Sequence, residues 1–325
     1  MKLSDAKRCA YLGPAATFTE AALIDLLTEH DLLDTVERVP MRSQNEMFDA
    51  VRSGEVDAAV VPIENSVEGG VPATLDALTR SGNLQIVAEA VVPVRFVLAA
   101  PPGTVTLETL QTFGTHPHAE AQTRLWMQEH APQAVYHPTG STAEAARVLG
   151  AATAGVSYQA AIGPRLAAET YGLEVLADDI GENSGAQTRF VCVQRPGLLP
   201  EATGWDRTTF VVGLASDRSG ALLEMLEQLA ARGVNMSRIE SRPTGDGLGL
   251  YQFSIDALGH VREARMAEAL RGIHRVAGRV QFLGSYPMAA VERTELNGTK
   301  KAVDPRVADE AFDAAQAWLD EVTGG

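Results

Sequence analysis

Two short stretches of this chain place polar side chains at the ends of apolar runs, where chemistry is often held. In the first, residues 181–190, a run of small and amide residues leads to Thr188, Arg189 and Phe190, followed at once by the apolar segment 191–193. A loop entering a strand puts its last residues where irregular backbone meets a rigid sheet, a frequent location for chemistry. The Thr188 hydroxyl can donate or accept a hydrogen bond, and the Arg189 guanidinium can hold a carboxylate through two parallel bonds. Their adjacency sets a condition, because successive side chains of a regular strand face opposite sides. Both line one cleft only if the strand begins after them; otherwise Arg189 is the cation of a structural salt bridge. In the second stretch, Glu64, Asn65 and Ser66 close the buried run 57–63. The Asn65 amide both donates and accepts, or caps a turn. Glu64 is expected to orient Asn65 rather than meet an anionic substrate, since like charges repel.

The elements that must position these groups follow a βα rhythm. A strand at 8–12 breaks at Gly13 and Pro14, and a helix runs from Thr17 to about Glu29, its first turn offering backbone N–H groups to an anion. Ser43 or Asn45 caps a helix to about Arg52, the strand 57–63 follows, and a loop at 67–70 leads to a helix over 72–79. The strand-like run 84–99, interrupted by Pro93, crosses into a second half. That half reads as strand 112–115, helix 117–130, strand 134–137, helix 141–149, strand 154–156, helix 158–168 and strand 174–176. The stretch 181–193 is expected to return to the first half, where Cys9 lies. Two α/β halves joined by a crossover make a cleft.

Residues 195–206, with two prolines and two glycines and no apolar period, form a linker. The order βαββαβ then follows from strand 208–214, helix 219–231, strands 235–242 and 249–256, helix 261–271 and strand 276–286, a split βαβ module. The tail is charged and polar, with an amphipathic helix at 305–322 carrying Phe312 and Trp318.

At 325 residues the chain accommodates two or three such units. A net charge of −15 repels phosphate, which argues against nucleic-acid and acidic-membrane partners without excluding a small anion held by local donors. Cys9 and Cys192 sit inside expected strands and read as buried thiols of a reducing compartment. The N-terminal residues lack the apolar run of a signal peptide and no stretch approaches a membrane span, so the cytoplasm is the expected location. His116 and His118 are too few to bind zinc without a cysteine pair.

In order and context, Gly13-Pro14 with Thr17, Phe18 and Thr19, the run Val61 to Ser66, His116-Pro117 with Gln122, Ser141 to Ala143, and Gln187 to Phe190 resemble the prephenate dehydratases. Gly220 to Leu222, Asn235-Met236 and Glu240 to Pro243 resemble the amino-acid-sensing ACT domain that follows the catalytic domain in that family. The resemblance spans about residues 8–286. It implies a two-lobed α/β catalytic domain (8–194) similar to type II periplasmic binding proteins, the linker 195–206, a ferredoxin-like ACT domain (207–286) and the tail 287–325.

The implied reaction is a cofactor-free elimination, with no metal, in which prephenate loses water and carbon dioxide to give phenylpyruvate on the way to phenylalanine. Thr188 matches the threonine that assists hydroxide departure. Asn65, Thr115 and Gln122 match polar substrate-site positions, Thr17 and Ser141 are further candidates, and Ser141 and Thr142 also suit a helix cap. The family usually ends its first turn in glycine where this chain has Ala15 and Ala16; a positive φ there would strain alanine. Ala221, Leu222, Asn235, Met236, Glu240 and Ser241 match an effector site for phenylalanine at a subunit interface, in a homodimer or homotetramer built through ACT domains. With seven residues ahead of the first strand, a fused helical mutase domain is not expected. Arogenate dehydratase is the nearest alternative, and a two-lobed sensor or solute-binding protein without catalysis is the alternative of another class.

Overall fold

Buried runs flanked by turn residues build the first lobe. The computed structural model describes residues 3–152, 155–216, 218–245, 251–297 and 304–324. Strands β1 (Arg8–Leu12), β2 (Glu37–Met41) and β3 (Ala58–Asn65) lie parallel in the order β2-β1-β3. Helices α1 (Phe18–Glu29) and α2 (Gln44–Ser53) connect them, capped by the Thr17 and Ser43 hydroxyls. β4 (Gly69–Gly70) pairs with the end of β3, and α3 (Pro72–Ser81) and β5 (Gln85–Pro93) follow. β2 was not expected; its proline suits the edge position it takes.

The second lobe holds β6 (Val97–Ala100), β7 (Thr112–Thr115), α4 (Pro117–His130), β8 (Val135–Pro138), α5 (Thr142–Ala151), β9 (Ala160–Gly163), α6 (Arg165–Thr170) and β10 (Glu174–Ala177), with strand order β10-β6-β9-β7-β8. Here the sequence expectation needs correction. Gly155 and Val156 are irregular and Ala154 lies outside the described residues, while the strand falls at 160–163, inside the expected helix, which begins only at Arg165. All four residues of β9 are buried, and so short an apolar run has no periodicity to separate strand from helix.

β11 (Gln187–Gln194) then returns to the first sheet, as expected, and inserts antiparallel between β3 and β5. Cys192 thereby comes to hydrogen-bond Cys9, and that bond together with burial pushes the Cys9 thiol far up, as suits an inert buried pair.

The third unit is β12 (Asp206–Leu214), α7 (Ala221–Ala230), β13 (Met236–Pro243), β14 (Tyr251–Leu258), α8 (Ala264–Val276) and β15 (Ala277–Pro287), a four-stranded sheet ordered β13-β14-β12-β15. Alternation along β12 serves two cores. Phe210 and Val212 pack with Met225, Met266 and Ile273 of α7 and α8, whereas Val211 joins Phe48, Ile63 and Leu78 of the first lobe. The sheet therefore lies directly on that lobe: Arg242 binds Asp76 through two bonds of 3.1 and 3.0 Å, and a Cβ at Gly284 would stand 2.2 Å from the Ile86 carbonyl oxygen. α9 (Ala290–Asn297), which was not expected, and α10 (Asp309–Thr323) complete the chain. Among the described residues no helix is long and apolar enough to cross a membrane.

Candidate functional site

The β3–β11 pairing brings the two chemical stretches together. Thr188 lies opposite Asn65 and Arg189 opposite Glu64, before a bulge shifts Phe190 onto Pro62. Asn65 Nδ2 donates to Thr188 Oγ1 at 2.8 Å. Its Oδ1 accepts the N–H groups of Val67 and Glu68 at 2.8 and 3.1 Å, which fixes the amide orientation because an NH2 group could not accept them. Thr188 is 8% exposed. With Asn65 supplying a proton to its oxygen, the threonine's own hydrogen is directed elsewhere.

Arg189 faces the other way. β11 begins at Gln187, before both residues, so strand alternation separates them and the expected Arg189 substrate contact is not formed. Its guanidinium donates to Glu64 at 3.0 and 3.1 Å, to Glu89 of β5 at 3.2 Å and, closest of all, to Asp256 of β14. Burial alone would pull this arginine down, but the carboxylates of Asp256 and Glu89 outweigh it and hold Arg189 well above its ordinary value. Asp256 is likewise held far below the ordinary carboxylate range: burial opposes this, and Arg189 and Arg238 overcome it. Arg238 binds both Asp256 oxygens at 2.9 and 3.1 Å, and Arg207 bridges Glu89 and Glu292. The network thus ties the strand of Thr188 to the third sheet. Sequence reasoning missed Glu89, Arg207, Arg238 and Asp256; charges inside otherwise apolar strands were the available signal.

The second lobe closes over this edge. Glu68, on the loop after Asn65, meets His118 of α4 at 3.1 Å, and Tyr171 donates to the Ala15 carbonyl at 3.0 Å. His116 caps α4 by accepting the His118 N–H on Nδ1, which requires that nitrogen to be unprotonated. Burial first, then the neighbouring His118, lower its pKa, against a smaller opposing pull from Glu68. Ala16 has φ +65, the strained conformation feared for alanine, and its buried Cβ packs into the second lobe's core with Ala143 and Ala146.

Several candidate residues have local hydrogen-bonding duties. Thr115 is fully buried and donates to the Ile162 carbonyl at 2.7 Å, so its hydroxyl is removed from the cleft. Thr17 donates to the Leu12 carbonyl and accepts from Glu20, and Ser141 caps α5. The Ala16 N–H, just ahead of α1, donates to the Glu20 carboxylate at 2.5 Å. Gln122 is half-buried on α4, its carbonyl accepting the Glu182 N–H. No group of three or more His, Cys, Asp or Glu side chains among the described residues could hold a metal ion.

In the third unit, Ala221 and Leu222 open α7, whereas Asn235 and Met236 follow its far end, so one protomer separates them by about 15 Å of helix at 1.5 Å per residue. Glu240 and Ser241 lie midway along β13, and the Glu240 carboxylate covers Gly70 so closely that a Cβ there would overlap it at 1.7 Å.

Residues 9–197 match the family described as prephenate dehydratase, and residues 208–275 match the ACT domain. A prephenate dehydratase from Amycolatopsis methanolica is 41% identical over 319 residues, 98% of each chain. Among solved structures, a prephenate dehydratase from Arthrobacter aurescens in complex with L-Phe is 50% identical and superposes with a TM-score of 0.86 over 98% of this chain and 100% of that one. GqqA, described as a novel type of quorum quenching acylase, is 29% identical with a TM-score of 0.77 over 88% of this chain and 100% of its own. The two-lobed α/β architecture and the ACT domain after it are common to this chain and its dehydratase relatives.

Proposed function

The chain belongs to the prephenate dehydratase family, and on that footing we propose how its own residues turn prephenate into phenylpyruvate, water and carbon dioxide. This is a carbon–oxygen lyase reaction. The bond from the ring to its carboxylate breaks and releases carbon dioxide, the electron pair moves through the ring, and hydroxide leaves the opposite carbon, taking one proton to become water. Aromatisation supplies the driving force, so the hydroxide's departure is the step that needs help.

The observation that carries the assignment is the hydrogen bond from Asn65 to Thr188. A hydroxyl is too weak an acid to surrender its proton outright, but held as an acceptor by Asn65 it presents its hydrogen to the departing oxygen and can relay a proton. Acyl transfer through the same hydroxyl would need a base, and its side-chain partner among the described residues is an amide. Gln122 and the Ser141 end of α5 are the groups proposed to orient the substrate from the second lobe, where first-turn N–H groups favour a carboxylate. Arg189 serves to dock the third domain.

The Arthrobacter relative's complex with L-Phe supports phenylalanine as feedback effector here. Its proposed site combines Ala221 and Leu222 of one protomer with Asn235, Met236, Glu240 and Ser241 of another, in a cytoplasmic homo-oligomer. The test is formation of phenylpyruvate from prephenate, with and without phenylalanine, by the native protein and Thr188→Ala. Turnover that falls with phenylalanine and nearly vanishes in the variant is expected. A folded native protein with no turnover on prephenate, or a variant as active as the native protein, would sink the assignment.

A further inference from the structure

Among the described residues nothing covers the apolar side of the C-terminal helix α10. Phe312, Ala315, Trp318, Leu319 and Val322 follow the three-and-four spacing of a single stripe. Phe312 is half-buried, yet Trp318, Leu319 and Val322 are 63%, 45% and 63% exposed, and every residue from 313 to 324 is exposed. The start of the helix is anchored to its own protomer, where Asp309 accepts the Arg265 N–H at 3.1 Å and Val307 lies against Gly233. Its remaining turns extend without support. Isolated helices of about 12–15 residues are marginal in water, and helices in proteins draw most of their stability from burying an amphipathic face. A stripe centred on tryptophan calls for a cover.

Charge identifies the cover. α10 carries Asp309, Glu310, Asp313, Asp320 and Glu321 and no lysine or arginine, so a second α10 would repel it. Beside α8, Val261, Ala267 and Leu270 floor an open groove edged by the exposed Arg271, His274 and Arg275, of which Arg271 also pairs with Glu268 of the same helix at 2.7 Å. We propose that α10 of one protomer lies in the α8 groove of a second copy of this chain, Trp318 and Leu319 against Leu270 and the acidic edge against Arg271 and Arg275. The reciprocal contact closes a two-fold pair, in which each copy both gives and receives a helix. It uses the outer surface of the helices of the third unit, leaving the edges of its sheet available for other association.

The test is sedimentation velocity of the full chain over a concentration series. Trp318→Ala with Leu319→Ala, and separately Arg271→Glu with Arg275→Glu, are each expected to weaken association by about tenfold or more. Adding Glu310→Arg and Glu321→Arg to the arginine variant should restore it, and salt should weaken the native association. If the tryptophan variant lost helix content by circular dichroism, the arginine variant, altered on a different helix, would still decide. Association of the arginine variant equal to that of the native protein would overturn the proposal. So would a Trp318 as open to acrylamide in the associated protein as in the dilute one, read as the difference from Trp318→Phe.

Discussion

Asn65 donates to the Thr188 hydroxyl across the β3–β11 pair at 2.8 Å, and the same amide's oxygen gathers the two N–H groups of the following loop. Replacing the donor without disturbing the acceptor separates chemistry from loop structure. Asn65→Asp keeps the loop bonds but draws the Thr188 hydrogen toward a carboxylate, so kcat should drop on the order of 10²-fold with little change in stability. Thr188→Ala should cost at least as much. Steady-state kinetics with urea denaturation checks both, and unaltered turnover in Asn65→Asp would rule out the orienting role.

Asp256 sits between Arg189 and Arg238 with no exposure. Asp256→Asn leaves two buried cations short of a partner, and about 3–5 kcal/mol of stability should be lost. Urea unfolding at neutral pH measures it. Arg189→Met together with Asp256→Leu should cost less than the two changes summed, because that pair's charges leave together while Glu89 keeps Arg207 and Arg238 keeps Glu240.

Acid should act on the same network. The folded Asp256 carboxyl titrates well below the unfolded value of about 3.9, so the unfolded chain takes up the proton first. Its contribution is complete above about pH 4 and is lost as pH falls through the folded value. His116 shifts downward too, and for it the loss begins below about pH 6.5, where the unfolded ring protonates and the folded ring resists. Urea midpoints should therefore fall in two stages on acidification. His116→Asn, which still offers a capping oxygen, should remove the upper stage.

Gly70 has no positive φ, and the atoms nearest an alanine Cβ there all belong to the Glu240 carboxylate. Gly70→Ala should push Glu240 aside at small cost, since the far end of a flexible side chain moves easily. The expected result is a half-inhibitory phenylalanine concentration changed by about fivefold or more, with turnover in its absence kept within about twofold. Inhibition curves identical to the native ones would show that Glu240 takes no part in the response.

Ala16 balances two terms of similar size. Glycine would relieve the φ of +65 but remove a Cβ buried against the second lobe, so Ala16→Gly should change stability by less than about 1 kcal/mol. Valine adds β-branching to a left-handed residue in a filled site and should cost more than about 2 kcal/mol. Denaturation midpoints distinguish the two.

What could be read from sequence was what depends on neighbours in the chain. β1, β3 and β7, the start of α1, the caps of α2 and α5, and the βαββαβ order all rest on local pattern, and each stands where expected. Asn65 and Thr188 were also legible as polar groups ending and beginning apolar runs, though not their hydrogen bond. β9 was lost because four consecutive buried residues carry no period. Arg189 posed a question that sequence could frame but not answer: its partners Glu89 and Asp256 lie 100 and 67 residues away, and alternation says only that it opposes Thr188. Thr115 was misjudged for a similar reason, since its acceptor is a carbonyl on the misplaced strand.

The insertion of β11 between β3 and β5 sets an order for biosynthesis. The second lobe is one continuous stretch and can fold as it leaves the ribosome, but the first lobe's sheet keeps a vacant slot until residues 187–194 emerge. At ordinary elongation rates that is roughly 5–20 s during which the ladder edges of two strands stand open to wrong partners. The strand that fills the slot brings Thr188 to Asn65 and Arg189 to its carboxylates in one event. A nascent chain therefore holds no half-built form of the proposed catalytic pair, and newly made protein should become active only when its first lobe is sealed.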